Sequence, residues 1–257
     1  MVNQVITIIT VNTGSTTAID HMIVIPDKSV VIKKAFVVLV LLTSVALFFL
    51  ALPRVRAAFN YIPVDVAIEK INNKENLDDD KFAELIEIAQ TSISLDDNPH
   101  YWQGLSRLFQ YQGQKNQPLQ EISTDWLKQE QYAIEQSLVR SPANSDLWYR
   151  LSVIHFLLHL PPEQIVKMLI MSITTDPNNT GILMQRLSLC LTLSQMFEDG
   201  DVDLLRSQIL TAWSVSPVDF LSTVANVEDN ISIIWQLLAD KDSSILKEMV
   251  EALEKNN

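Results

Sequence analysis

Apolar residues beyond Ala58 recur every three or four positions, which is the spacing of one face of an α-helix. In KFAELIEIAQTSISL, for example, Phe82, Leu85, Ile86 and Ala89 fall on one stripe. Further segments of this kind occupy 100–113, 122–140, 145–159, 162–174, 180–197, 202–214 and 242–254. The alternation of apolar and polar residues that is typical of strands is absent from this part of the sequence. The pattern therefore predicts an all-α fold.

Residues 35–52 form an uncharged apolar run, AFVVLVLLTSVALFFLAL. As a helix this run spans roughly 27 Å, close to the hydrocarbon thickness of about 30 Å. We expect a transmembrane helix here, within an anchor region of residues 30–57. The rival interpretation is a cleaved signal peptide with a cleavage site at 55–57, but signal peptides usually have only about 7–15 apolar residues.

The anchor separates two unequal parts of the chain. Residues 1–29 show no helical period, and we expect a disordered tail there, with Met22 as an alternative start to Met1. Three lysines precede the apolar run and two arginines follow it. This small excess favours a cytoplasmic N-terminus. Residues 58–257 are then a domain on the opposite side of the membrane.

Proline marks the breaks between helical segments at similar intervals. Pro99, Pro142, Pro177 and Pro217 are separated by 43, 35 and 40 residues, with two helical stretches in each interval. Proline suits these breaks because it cannot extend the preceding helix and it presets the backbone for the next turn. We predict a tetratricopeptide-like α-helical repeat domain over 58–257, with an unrelated helical bundle as the alternative.

The clearest repeat motif lies in SPANSDLWYRLSVIHF, residues 141–156. Trp148, Leu151 and Ser152 match the tetratricopeptide order of Trp, Leu and a small residue, and His155 stands at the aromatic position. We therefore interpret this stretch as a repeat hinge and not as the mouth of a reactive site. The predicted repeat-packing positions are Pro142, Trp148, Leu151, Ser152, Leu169, Pro177, Ala212 and Pro217.

Charge and composition exclude several classes of protein. From residue 58 onward there are 14 Lys and Arg against 29 Asp and Glu, a net charge of −15. Such a surface repels phosphate backbones and anionic lipid headgroups, so we expect no nucleic-acid partner. The chain has only five glycines, and this low number argues against glycine-rich loops that bind phosphate. It has a single cysteine, so an intrachain disulfide is excluded.

Three groups of residues have both a chemical and a packing interpretation. His155 and His159 lie four apart, a spacing that suits a metal, but no third ligand supports them, so we expect packed or solvated histidines. Cys190 lies in the apolar run LSLCLTL and is expected in the core. The acidic residues at 78–80 suit a helix N-terminus better than a calcium site, because no glycine-containing ligand loop follows them.

The tryptophans are candidates for stacking on sugar rings, but their spacing relative to apolar neighbours favours the core. They are Trp102, Trp126, Trp148, Trp213 and Trp235. The sequence contains no nucleophile elbow, Walker loop, dinucleotide fingerprint or zinc-protease signature. We predict no catalytic residue, no metal site and no cofactor.

The block RSPANSDLWYRLS, residues 140–152, resembles the pattern R-P-A-N-P-x-x-W-x-x-L-A of the VpsP-type polysaccharide-biosynthesis proteins, small anchored proteins of exopolysaccharide and O-antigen loci. TTDPNNTGILMQRLSLCLTL and LLRSQILTAW are similar to the repeats that follow in that family. The sequence departs from the family at Ser141 and Ser145, and residues 174–178 lack the usual aromatic.

The resemblance implies an inner-membrane protein with a periplasmic repeat domain. It also implies partners among the membrane proteins of a polysaccharide synthesis and export complex. We therefore expect a non-enzymatic accessory or scaffold protein that acts through protein–protein contacts. The alternatives are a membrane-tethered assembly factor unrelated to polysaccharide and a glycan-processing enzyme. The oligomeric state is left open.

Overall fold

The structure, a computed structural model, describes residues 28–115, 123–225, 228–239 and 242–256. All regular secondary structure in these ranges is helical and they contain no strand, which confirms the all-α prediction. The predicted tail up to residue 27, with both candidate start methionines, lies outside the described residues.

Eleven α-helices lie within the described ranges. The first six are α1 (Lys28–Asn72), α2 (Asp79–Leu95), α3 (Pro99–Gln114), α4 (Thr124–Arg140), α5 (Ser145–Leu157) and α6 (Pro162–Thr175). The remaining five are α7 (Leu183–Thr192), α8 (Val202–Val215), α9 (Pro217–Ala225), α10 (Glu228–Leu238) and α11 (Ser243–Asn256). A single 3₁₀ turn, Ser194–Met196, separates α7 from α8 within these ranges.

Helix α1 contains the apolar run and is long and apolar enough to cross a membrane, judged by its length and composition. The apolar side chains of the run are exposed, as lipid-facing residues are. The hydroxyls of Thr43 and Ser44 donate to the carbonyls of Leu39 and Val40, both at 2.8 Å, so neither needs water. The chain divides into two compact units between Arg56 and Ala57.

The second unit begins with the last turns of α1 and consists of successive helix pairs. Helix α3 packs most extensively against α4, and α5 against α6. One apolar cluster joins the end of α1 to α2 and α3, a second joins α4 to α5, and a third fills the space among α6 to α11. This succession of neighbouring pairs is the arrangement expected of a helical repeat.

Gly104 allows α3 to approach the end of α1 closely. A Cβ atom at this position would overlap the hydroxyl of Tyr61, which is itself only 1% exposed. The Tyr61 ring packs on Tyr101 with the ring centroids 4.5 Å apart. The absence of a side chain at residue 104 therefore determines how closely the end of α1, around Tyr61, packs on α3.

Each proline of the predicted breaks lies between the second helix of one pair and the first helix of the next. Pro99 and Pro217 are the first residues of α3 and α9, and Pro142 and Pro177 lie in the turns before α5 and α7. The side chains of Asn98 and Asn144 accept backbone N–H bonds and cap α3 and α5.

The second helices share a buried small residue near their C-termini. These residues are Ser92, Ser137, Ser172 and Ala212, none more than 1% exposed. The hydroxyl of Ser137 donates to the carbonyl of Pro99 at 3.0 Å, and that of Ser172 to the carbonyl of Ser145 at 2.8 Å. Each of these bonds joins the end of a second helix to the beginning of its partner.

Arg150 on α5 joins three helices. Its guanidinium donates to the Glu130 carboxylate on α4 at 2.7 Å and to the Ser106 hydroxyl on α3 at 3.1 Å. The Arg150 and Glu130 side chains are only 5% and 7% exposed. Burial raises the pKa of Glu130, and the neighbouring Arg150 opposes that shift.

Arg186 on α7 is fully buried and has no carboxylate partner among the described residues. Its guanidinium donates to the carbonyls of Ser172, Asp176 and Pro177 at 2.8–3.0 Å and to the side-chain oxygen of Gln208 at 2.6 Å. The carbonyls lie at the C-terminal end of α6, where the helix dipole favours a cation. Burial lowers the pKa of Arg186.

Two predicted helices are shorter in the structure than the sequence pattern indicates. The segment 180–197 begins as a helix only at Leu183, because the Asn179 side chain accepts the Gly181 N–H at 3.2 Å and holds a turn there. Helix α5 stops at Leu157, and His159 follows with a φ of 53°. The sequence pattern did not predict helices α9 and α10.

Leu147 provides a test of the packing between α4 and α5, because it is fully buried in their shared cluster. We expect Leu147→Ala to lower the free energy of unfolding by about 2–5 kcal/mol through the cavity that it leaves. Chemical unfolding of the full chain in detergent, followed by far-ultraviolet circular dichroism, measures this change.

Val139→Ala is the matched control on α4, because Val139 is 77% exposed. Its effect should stay within about 0.5 kcal/mol. Equal effects of the two substitutions would contradict the packing described here.

Candidate interaction groove

The residues predicted to pack the repeat motif lie around the turn between α4 and α5. Leu151 and Ser152 are buried, whereas Trp148 is only half-buried and donates its indole N–H to the carbonyl of Pro142 at 2.7 Å. The indole therefore fastens the turn to the helix that follows it. Leu169 and Ala212 are fully buried in the third cluster, while Pro142, Pro177 and Pro217 are exposed at the breaks.

The two histidines with metal-binding spacing do not share a helix. His155 is 7% exposed on α5, whereas His159 lies beyond the helix end and is exposed. Neither ring nitrogen of His155 has a hydrogen-bond partner among the described residues. Burial lowers the pKa of His155, and Glu135 on α4 opposes that shift. In the structure, His155 is a packed residue at the aromatic position of the repeat.

The cysteine and the acidic segment also have structural roles in the fold. Cys190 is fully buried, and burial raises the pKa of its thiol to about 12. Asp78 caps α2 by accepting the N–H of Asp80 at 3.4 Å. Within the described ranges, no group of three or more His, Cys, Asp or Glu residues is placed to hold a metal.

The tryptophans are less buried than their sequence spacing predicts. Trp102, Trp126, Trp148 and Trp213 are half-buried, and Trp235 is 47% exposed. Trp126 packs against Phe82 and Phe109, so its role is structural. Trp102 differs from the others because it lines an open groove.

We call this depression the α2–α4 groove, since it lies between α2 and α4 and crosses α3. Its volume is about 470 Å³. It is lined by Gln90, Ile93, Ser94, Trp102, Leu105, Phe109, Lys128, Gln129 and Tyr132. The floor is apolar because Leu105 and Phe109 belong to the cluster beneath α3.

One wall of the groove is held in a fixed position by polar contacts behind it. The indole N–H of Trp102 donates to the Asp97 carboxylate at 2.7 Å, and the Arg140 guanidinium lies 5.4 Å from the centre of its ring. Arg140 also forms an ion pair with Asp97, and this hydrogen bond lowers the pKa of Asp97. Tyr132 meets Trp102 edge-on, with ring centroids 5.8 Å apart.

The rim of the groove carries polar groups that are available to a ligand. The side chains of Gln90, Lys128, Gln129 and Tyr132 have no hydrogen-bond or ion-pair partner among the described residues. The Tyr132 side chain is 56% exposed. An apolar floor, a rigid aromatic wall and a few open polar ends are the usual features of a binding site.

Sequence reasoning did not find this groove. Tyr132 and Lys128 lie one turn apart on α4, but nothing in the sequence places them beside Trp102 or Ile93. The available signal was a tyrosine on the polar face of an otherwise regular amphipathic helix. An exposed aromatic residue indicates a binding site only when a neighbouring helix provides the other residues of that site.

No family model matches the chain, and no curated protein matches it. The resemblance to the polysaccharide-biosynthesis proteins therefore rests on the short sequence stretches described above, of which residues 140–152 are the most specific.

His155 makes the stability of the repeat domain dependent on pH. Its folded-state pKa is lowered, so the folded chain favours the neutral ring, and stability is greatest above the ordinary pKa of 6.5. As the pH falls below that value, the His155 ring binds a proton more readily in the unfolded chain than in the folded chain. We expect the free energy of unfolding to decrease over this range, and His155→Phe to reduce the decrease in pH titrations of unfolding.

His159→Asn is the control for this experiment, because Asn tolerates the positive φ at residue 159 and this side chain is exposed. It should leave the pH dependence unchanged. An identical pH profile for the wild type and His155→Phe would contradict the role given to the buried ring.

Proposed function

We propose that this protein is a membrane-anchored, non-enzymatic scaffold whose α2–α4 groove binds an apolar segment of another membrane protein. The observation that carries the proposal is the groove itself, with its fixed aromatic wall and a polar rim that has no partner among the described residues. A volume of about 470 Å³ suits a few side chains of a peptide segment. Helical-repeat surfaces commonly bind segments of this kind.

The charge of the domain indicates the kind of partner. With a net charge of −15 beyond residue 57, the domain attracts basic surfaces and steers them during encounter. Lys128 is a positive group at the rim of the groove. The partner segment therefore combines apolar side chains for the floor with an acceptor for Lys128, and it belongs to a protein with a basic surface.

The likeness of residues 140–152 supports a more specific proposal. We propose that the partners are glycosyltransferases, a polymerase or export proteins of exopolysaccharide or O-antigen synthesis. The protein is a single-pass component of the bacterial inner membrane, and its repeat domain lies in the periplasm. Anchoring supports such a role because it holds a weak binding site beside its partner at high effective concentration.

Site-specific photo-crosslinking tests the groove in the full chain within its own membrane. We expect a photoreactive phenylalanine analogue at Tyr132 to form an adduct with one membrane protein of polysaccharide synthesis, identified by mass spectrometry. The same analogue at Val139, two turns further along α4 and 77% exposed, should form no such adduct. Lys128→Glu should reduce the adduct at residue 132. Adducts of equal yield at both positions would contradict the groove as the binding site.

Deletion of the protein tests the more specific proposal. We expect less secreted or surface polysaccharide in the deletion strain, because the synthesis complex loses a component that organises it. The wild-type chain should restore the polymer, whereas Lys128→Glu combined with Tyr132→Ala should restore it poorly at equal expression. Polymer content is measured by chemical sugar analysis. Unchanged polymer in the deletion strain would remove polysaccharide synthesis from the proposal and leave an assembly factor of another kind.

A further inference from the structure

The part of α1 that belongs to the second unit has two apolar faces, of which only one is covered. Ala57, Tyr61 and Val64 are at most 1% exposed and pack in the cluster of α2 and α3. Phe59, Ile62 and Val66 are 70%, 51% and 48% exposed. Covered and exposed positions therefore alternate along the same stretch of roughly three turns.

Helical geometry places these two sets on opposite sides of α1. At about 100° per residue, Phe59, Ile62 and Val66 point roughly 140–180° away from Ala57. The exposed set is therefore not an extension of the packed face. Three large apolar side chains therefore remain exposed away from the packed face.

The exposed residues have the spacing of a helix-pairing seam. Residues 59, 62 and 66 follow the alternation of three and four that defines the a and d positions of a heptad. In sequence, the same alternation runs back through Val55, Leu52 and Phe48. Residues 59, 62 and 66 lie beyond the apolar run, in a segment that also contains polar residues such as Asn60 and Asp65. Their spacing is therefore not a consequence of a uniformly apolar sequence.

We propose that this stripe, Phe59, Ile62 and Val66, is a dimerisation seam that packs in parallel against the same stripe of a second copy of the chain. A membrane anchor gives both copies the same orientation, so only the parallel arrangement brings the two stripes together. Confinement to the membrane also raises the effective concentration of each copy for the other.

Charge complementarity supports a second copy as the occupant. With Phe59 and Val66 at a and Ile62 at d, Asp65 falls at g and Lys70 at the following e position. In a parallel pair these two positions face each other across the seam, so Asp65 of each copy meets Lys70 of the other. Lys70 has no ion-pair partner among the described residues, and Asp65 is 51% exposed while it accepts from His100 at 2.9 Å.

A cavity with an apolar part and a charged part, the latter including Lys70 and Glu84, adjoins the stripe and enlarges the surface available to a second copy. This cavity of about 500 Å³ lies between α1 and α2 and is lined in part by Ile62, Val66, Leu85 and Ile88. The uncovered apolar surface therefore continues from the stripe toward α2. The seam is separate from the α2–α4 groove, so dimerisation does not depend on the function proposed for that groove.

Cysteine crosslinking of the full chain in native membranes tests the seam. The background is Cys190→Ala, which removes the single, fully buried cysteine. Single cysteines at Phe59, Ile62 and Val66 should give disulfide-linked dimers on mild oxidation. Cysteines at Ala58 and Asn60, exposed positions on the flanks of the same turn, should give at least about fivefold less dimer.

Two controls separate a second copy from other occupants. Co-expression of an excess of the cysteine-free chain should dilute the dimer formed by Val66→Cys, since both chains compete for the seam. Ile62→Glu should reduce that dimer at least about fivefold with an unchanged far-ultraviolet spectrum, and Ile62→Leu should retain it. Equal crosslinking at all five positions, absence of dimer, or crosslinks only to a chain of different mass would overturn the proposal.

Discussion

A small side chain near the end of each second helix is the constraint on which the repeat packing depends. Ser92, Ser137, Ser172 and Ala212 are all buried, so a larger side chain at any of them would push neighbouring helices apart. At Ser137 and Ser172 the hydroxyl also donates to the first turn of the partner helix. These bonds satisfy a buried donor and fix where each antiparallel pair begins and ends.

Buried guanidinium groups determine how one pair is placed on the next. Arg150 links α3, α4 and α5 through Ser106 and Glu130, and Arg186 binds the carbonyls at the end of α6 together with Gln208. A buried ion pair adds little net stability over an apolar pair, but a buried charge without partners is very costly. Any other stacking of the pairs would leave these arginines without their acceptors, so the polar contacts select one arrangement.

The same packing explains why the proposed binding surfaces arise where they do. The α2–α4 groove exists because Tyr132 of α4 meets Trp102 of α3, whose indole is already held by Asp97 and Arg140. The stripe on α1 stays exposed because Gly104 lets the opposite face, through Tyr61, approach α3 closely. In both places contacts between neighbouring helices fix the position of an exposed apolar surface that a partner can cover.

The sequence by itself determined the helical class, the long apolar helix and the breaks at the four prolines, because these follow from local spacing and from the backbone limits of proline. It also predicted the buried positions of Leu151, Ser152 and Leu169 by the repeat pattern. The half-buried state of Trp148, the burial of Leu147 and Arg186, and the turn before Leu183 depended on contacts with other helices. The groove and the exposed stripe required the tertiary structure for the same reason. A helical period indicates that a face is apolar, but only the arrangement of neighbouring helices decides which apolar face is covered.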